Sequence, residues 1–336
     1  MKMYLSFTGL LLSSVNSYAS EHSPFILTDV DTSFADTTQK SKAISRFKMD
    51  IGVESDWSNT LTNGSYSVVS YSIFRGENAS NFTQDLQSFS NIDDSHYSKF
   101  YEAYFGTPLA PSTFLKFGLM DATNDFAAAY YGGGFINASM GFSPTIGGIS
   151  TFPTPKLGAH IHKQFKHWAL KLGAYSDADN RLSFSDSFQI AEIEVPYAFK
   201  STIRFGAWYH TGLATKTSSV ENTNDYYMVI DHHFSDSMSG FVQFGNANTK
   251  FTDLNTHWSV GLNYLGLLLE NSYSGIMVSE VDVVGKGSET TYEFYTDIAL
   301  NDYLTIKPGL IYIDNVAGDD HLGSAQIFNV RLSAAF

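Results

Sequence analysis

The chain has 336 residues, no cysteine, and 34 acidic against 20 basic residues, a formal charge of −14. That balance disfavours nucleic acid as a partner, and without cysteines any stability must come from hydrogen bonding and packing, not from disulfides. Hydrophobic residues make up 43% and aromatics 15%, yet past the amino terminus there is no run of about eighteen apolar residues, so helical membrane spans are excluded.

Lys2 followed by the apolar stretch Tyr4–Val15 and the small-x-small site Ser17-Tyr18-Ala19 has the form of an export leader. Cleavage is expected after Ala19, leaving 20–336 as a single domain. Beyond it, apolar residues take alternate positions, as they do in strands with one face in lipid and the other in water. Phe47, Met49, Ile51 and Val53 alternate with Lys48, Asp50, Gly52 and Glu54. The pattern recurs at Leu115–Leu119 around Lys116, at Trp168–Leu172 around Lys171, and at Ile193–Phe199 opposite Glu192 and Glu194. Ile203, Phe205, Ala207 and Tyr209 face away from Arg204, Trp208 and His210. Trp258–Tyr264, Tyr292–Ile298 and Leu304–Tyr312 continue the series, with less regular segments near 65–74, 98–106, 157–165, 226–234, 240–246 and 267–276. The last strand is the cleanest: Phe328, Val330, Leu332, Ala334 and Phe336 alternate with Asn329, Arg331 and Ser333.

These segments make about fifteen strands, and bacterial barrels carry an even number with both ends periplasmic. An earlier upward strand is therefore required, and Pro24–Asp31 is the candidate. The expected fold is all-β, a transmembrane antiparallel barrel of about sixteen strands in a bacterial outer membrane. Pro196 and Pro308 fall inside strands, which needs a bulge or irregular pairing at each. Two segments, Arg75–Tyr97 and Asp121–Pro155, are long enough to be functional loops. The second holds Gly132-Gly133-Gly134 and Gly147-Gly148, suited to tight backbone excursions, and is expected to fold inward as a constriction; lying over the mouth is the alternative. Inward glycines such as Gly52, Gly206 and Gly261 argue for an open interior.

Phe114–Phe126, with Gly118-Leu119-Met120-Asp121, resembles a strand and turn of the carbohydrate-selective porins of the OprB type. Phe135-Ile136-Asn137-Ala138-Ser139-Met140-Gly141-Phe142-Ser143-Pro144 is similar to that family's Phe-Ile-Asn-Ser-Ser-Phe-Gly-x-x-Pro segment, and Glu289–Tyr295 with Leu304–Tyr312 looks like its penultimate hairpin. The resemblance covers about half of the chain. It implies passive diffusion of mono- or oligosaccharides and other small hydrophilic solutes, no cofactor, a monomer, and a terminal Phe336 read by the barrel-assembly machinery.

A sugar path needs exchangeable hydrogen-bonding groups and aromatic faces. The inward candidates are Lys116, Lys171, Glu192, Glu194, Arg204, Trp208 and Arg331, joined from the loop by Asp121, Asn124, Asp125 and Asn137. For each strand residue the competing role is a charge ladder that holds the wall together. His160 with His162 and His232-His233 lack acidic or cysteine partners at ligand spacing, so no metal site is expected. No Gly-x-Ser-x-Gly occurs, and Gly285-Lys286-Gly287 is no phosphate loop, so an enzyme is not expected. Acids at Asp93-Asp94, Asp177, Asp179 and Asp319-Asp320 fall in outer loops, where divalent ions can bridge them to lipopolysaccharide. The alternatives in function are a general or cation-leaning porin and a non-transporting structural or adhesive barrel.

Overall fold

The computed structural model describes residues 22–58, 61, 63–177 and 186–336. The expected leader, its cleavage after Ala19, and the loop acid Asp179 lie outside the described residues. Sixteen strands close into one antiparallel barrel in which each pairs with its neighbours in sequence and the first pairs with the last. They are β1 (His22–Thr37), β2 (Ser41–Asp56), β3 (Tyr66–Gly76), β4 (Tyr97–Ala110), β5 (Thr113–Met120), β6 (Lys156–Gln164), β7 (Ala169–Ser176) and β8 (Ser187–Ala198). The second half comprises β9 (Ser201–Ala214), β10 (Val220–Ser235), β11 (Met238–Asn246), β12 (Leu254–Leu265), β13 (Ser272–Val283), β14 (Ser288–Ala299), β15 (Leu304–Asp314) and β16 (Ala325–Ala335). Closure leaves no strand edge unpaired, which a bilayer demands because lipid offers backbone groups no partner. Among the described residues no helix is long and apolar enough to cross a membrane.

The alternation places the side chains as the sequence implies. Ile51, Val53, Phe117, Leu172, Ile193, Phe205, Leu262, Leu310 and Phe328 are exposed on the outer face, while Asp50, Lys116, Lys171, Glu192, Arg204 and Asn329 are buried within. An apolar band this extensive suits lipid and would be untenable on a water-soluble monomer. The parity argument for an early strand holds, and β1 runs well beyond Pro24–Asp31. At the seam the backbones of Ile26 and Phe336 exchange two hydrogen bonds of 3.0 Å, and the Phe336 ring stacks on Tyr303 at 5.7 Å.

Two expectations change. The strand expected at 267–276 starts only at Ser272, because Leu267, Leu268 and Leu269 form an exposed periplasmic turn whose apolar run imitates a strand. The inward glycines also do not leave space. Gly52 lies directly opposite Phe25, Gly206 opposite Tyr227, Gly261 opposite Phe241, and Gly275 opposite Tyr295. In each pair the ring lies across the glycine so closely that a Cβ there would come within 2.0–2.4 Å of it. Aromatic cover of this kind pins strand register. Both prolines sit at irregular pairing: the β8–β9 register shifts between Pro196 and Ala198, and β14–β15 pairing breaks between Gly309 and Ile306, across Pro308, which has no N–H to give.

Candidate functional site

Of the extracellular connections, L1 (38–40) is a tight turn, whereas L2 (77–96) and L3 (121–155) fold into the barrel. L3 starts at Asp121, whose carboxylate accepts from Thr123 N at 2.9 Å, Tyr101 Oη at 2.8 Å and Phe152 N at 3.1 Å, tying the loop's two ends to β4. Phe126, Phe135 and Met140 then bury themselves among Tyr175, Phe188, Trp208, Tyr227, Phe241 and Tyr295 of the inner wall. Phe135 meets Tyr295 edge-on at 5.0 Å and Phe241 at 5.8 Å. The glycine run serves this close approach, since a Cβ on Gly134 would lie 1.9 Å from Tyr295 Oη.

A loop pressed against a wall carries backbone N–H groups that must find acceptors. The wall supplies carboxylates. Glu192 accepts from Ala127 N at 3.0 Å, Asp231 from Tyr131 N at 2.9 Å, and Glu293 from Ile136 N at 2.7 Å and Asn137 N at 2.9 Å. Loop carbonyls are met in turn by Asn263 Nδ2 at Tyr131 O (2.7 Å), Lys307 Nζ at Gly134 O (2.9 Å) and Gln243 Nε2 at Met140 O (3.0 Å). Tyr131 Oη reaches Lys200 O in the periplasmic turn at 3.0 Å, so L3 descends the depth of the lumen. The inward folding expected from the sequence is thus what the structure shows.

L2 docks beside it. Glu289 accepts from Leu86 N and Gln87 N at 2.9 and 3.2 Å, and Ser90 Oγ donates to Asp31 at 2.9 Å. Asp31 is gripped by Arg331 at 2.6 and 2.8 Å and faces Arg46 at 3.5 Å, and Arg46 in turn faces Asp93 of L2 at 3.6 Å. The two loops are stitched together by Asn91 N to Ile136 O (2.7 Å) and Ala138 N to Ser88 O (2.9 Å).

Against this geometry the eleven candidates divide. Asn124 is exposed, and Asp125 and Glu194 are half-buried. The others, Lys116, Asp121, Asn137, Lys171, Glu192, Arg204, Trp208 and Arg331, are buried. Lys116 holds Asp125 at 2.6 Å, Lys171 holds Glu192 and Glu194 at 3.0 and 2.9 Å, Arg204 holds Asp231, and Asn137 Oδ1 caps Ser139 N at 2.9 Å. Their surroundings are those of a ladder and loop clamp: a buried charge needs a partner, and these have theirs inside the protein. Burial raises the Asp125 carboxyl, but the neighbouring Lys116 ammonium and His160 outweigh it and hold the group below its ordinary range.

The sequence reading missed Tyr130. Its ring lies 3.9 Å from the Arg204 guanidinium and its hydroxyl donates to Glu194 at 2.9 Å, yet the residue is 44% exposed. Lys48 is inward and paired with Asp50, its ammonium 5.3 Å from the Tyr101 ring and 5.6 Å from Phe152. Asp231 was recoverable by carrying the Tyr227, Val229 alternation two residues further.

Residues 70–264, more than half of the chain, match the carbohydrate-selective porin family of the OprB type. In fold, the protein is similar to the high-pH structure of Pseudomonas putida OprB, with a TM-score of 0.83, 13% identity and 94% of each chain covered. The low-pH structure of the same protein follows at a TM-score of 0.64, 12% identity and 94% and 93% coverage. A loop-deletion mutant of OmpT from Vibrio cholerae gives 0.60, 10% identity and 94% and 100% coverage. A search of curated proteins returned no match. The closed barrel with loops packed inside it is that of an outer-membrane porin. The chain belongs to the OprB family of carbohydrate-selective porins, a non-enzymatic family.

Proposed function

We propose that sugars pass along the open edge of L3, where Asn124, Asp125, Tyr130 and Glu194 offer hydroxyl partners and one aromatic face. The observation that carries this reading is Tyr130: a ring deep in the lumen, fixed by Arg204 and Glu194 yet left partly bare. Sugars bind such sites by stacking a ring face while hydroxyls exchange hydrogen bonds, and weak contacts suit a path that must also release. Lys116, Lys171, Arg204 and Glu192 then act as positioning residues behind the path, and Arg331, Trp208, Asn137 and Asp121 as holders of the wall and loops.

The test is reversible block of ion current by a neutral oligosaccharide in a planar bilayer. Block at millimolar levels is expected, weakened about three- to tenfold by Tyr130→Ala, the loss of about 0.7–1.4 kcal/mol. A wild-type barrel that passes cations preferentially and is never blocked by sugar would overturn the path. Two further readings accompany it. The exposed Phe336 at the seam supports recognition by the assembly machinery, and its deletion should lower barrel yield without altering conductance. Action as a monomer rests on the family resemblance, and bridging of loop acids to lipopolysaccharide on the remaining acids of the outer loops, since the Asp93 side chain is buried and faces Arg46.

A further inference from the structure

Outside the path, a hollow of about 650 Å³ opens at the extracellular rim between L1 and L2. Its walls include Lys40, Lys42, Glu77, Asn81, Phe82 and His96. The four lysines on the extracellular turns 38–40, 215–219, 247–253 and 284–287 differ in one respect. Lys216, Lys250 and Lys286 each pair with a carboxylate, Asp253, Glu221 and Asp319 respectively. Lys40 has no carboxylate partner among the described residues, and its ammonium lies 4.6 Å from the centre of the Phe82 ring. In a chain with 34 acids and 20 bases, an uncompensated cation at the mouth is the exception.

The surroundings are built. Thr37 N donates to Lys40 O at 2.9 Å and Lys40 N to Thr37 Oγ1 at 3.1 Å, and Thr38 ties the turn to Ser324 through bonds of 3.1 and 3.2 Å. Phe82 packs on the apolar cluster of Ala79, Phe89, Ile136 and Val316 beneath L2. Lys42 is already held by Glu77, and both line the hollow. The hollow therefore combines one free ammonium, an anchored aromatic ring, and amide, imidazole and carboxylate groups that can exchange hydrogen bonds with hydroxyls.

We propose that this rim hollow is a capture site for an acidic monosaccharide, its carboxylate taken by Lys40, whose ammonium is held over the Phe82 ring, and its hydroxyls by Asn81, Glu77 and His96. The proposal rests on the sugar-path reading and adds to it a first station, selective for charge, at the extracellular entrance. The test uses the full-length barrel in a planar bilayer with glucuronate, glucose, a neutral oligosaccharide and inorganic phosphate as probes. Glucuronate added on the extracellular side should block at a lower concentration than from the periplasmic side. Lys40→Gln, a substitution at an exposed turn, should weaken that block about three- to fivefold, and Glu77→Gln should strengthen it about twofold by freeing Lys42. Block by the neutral oligosaccharide should be unchanged in Lys40→Gln. Glucuronate block indifferent to both substitutions would overturn the site, as would phosphate competing as well as the sugar acid does, since that would leave only a fixed charge. Failure of neutral oligosaccharide to block the wild-type barrel would overturn the underlying path reading instead.

Discussion

L2 and L3 both leave the extracellular rim and fold inward, but they are held by different chemistry. L3 buries a long apolar face, with Phe126, Phe135, Met140 and Ile146 among the aromatics of β7 to β14, and uses wall carboxylates to satisfy its amides. L2 buries less, chiefly Ala79, Phe89 and Ile92; Glu289 meets two of its amides as wall carboxylates do for L3, but L2 is fastened in addition through the ion cluster of Asp31, Arg46, Asp93 and Arg331 at the barrel seam. Apolar burial scales with area and is indifferent to pH, whereas a charge cluster depends on every member remaining paired. The contrast assigns L3 the fixed constriction and makes L2 the part that conditions and substitutions can loosen.

The largest effect should come from the seam. Arg331→Ala leaves Asp31 buried with Ser90 as its donor and the more distant Arg46 as its remaining cation, a loss on the order of 3–5 kcal/mol, so the temperature at which heat changes gel mobility should fall. An unchanged transition would show that the cluster does not hold the seam. Next, Glu293→Ala removes the acceptor of two buried amides, about 1–3 kcal/mol each, and should speed hydrogen exchange at Ile136 and Asn137 while Leu86 and Gln87 keep their protection. Equal loosening of both loops would erase the distinction between them.

A smaller effect follows from Asp85 in L2. Burial, followed by the nearby Asp93 charge, pushes its carboxyl up to about 6 from the ordinary 3.8, although Thr83 donates to one oxygen. The other oxygen has no hydrogen-bond partner among the described residues. A raised value means the folded loop favours the protonated acid. Its contribution to L2 therefore improves as pH falls from about 6 towards 3.8 and is constant below that. Asp85→Asn should slow exchange of the L2 amides at pH 7 and flatten their dependence across that window. Faster exchange at pH 7 would contradict the burial argument.

The barrel was legible because a two-residue period leaves its mark on every strand, and because an even strand number requires β1 where alternation is faint. The cover of Gly206 by Tyr227 or Gly261 by Phe241 was not, since the partners belong to neighbouring strands and only register brings them opposite. The candidate site was half legible for a related reason. An inward Glu192 reads the same in sequence whether it faces water or grips Ala127, and only the path taken by L3 decides between them. Tyr130 had no local mark, being one of two adjacent tyrosines in a loop; its proposed role rests on contacts with Arg204 and Glu194, more than sixty residues away.

We infer that L3, docked along the wall, sets the sugar path. Single-channel conductance of a barrel with residues 126–146 replaced by a short Gly-Ser link tests it most directly. Removing the constriction should raise conductance severalfold and abolish block by neutral oligosaccharide while the barrel still resists heat in detergent. Conductance and block equal to those of the intact protein would place L3 outside the path.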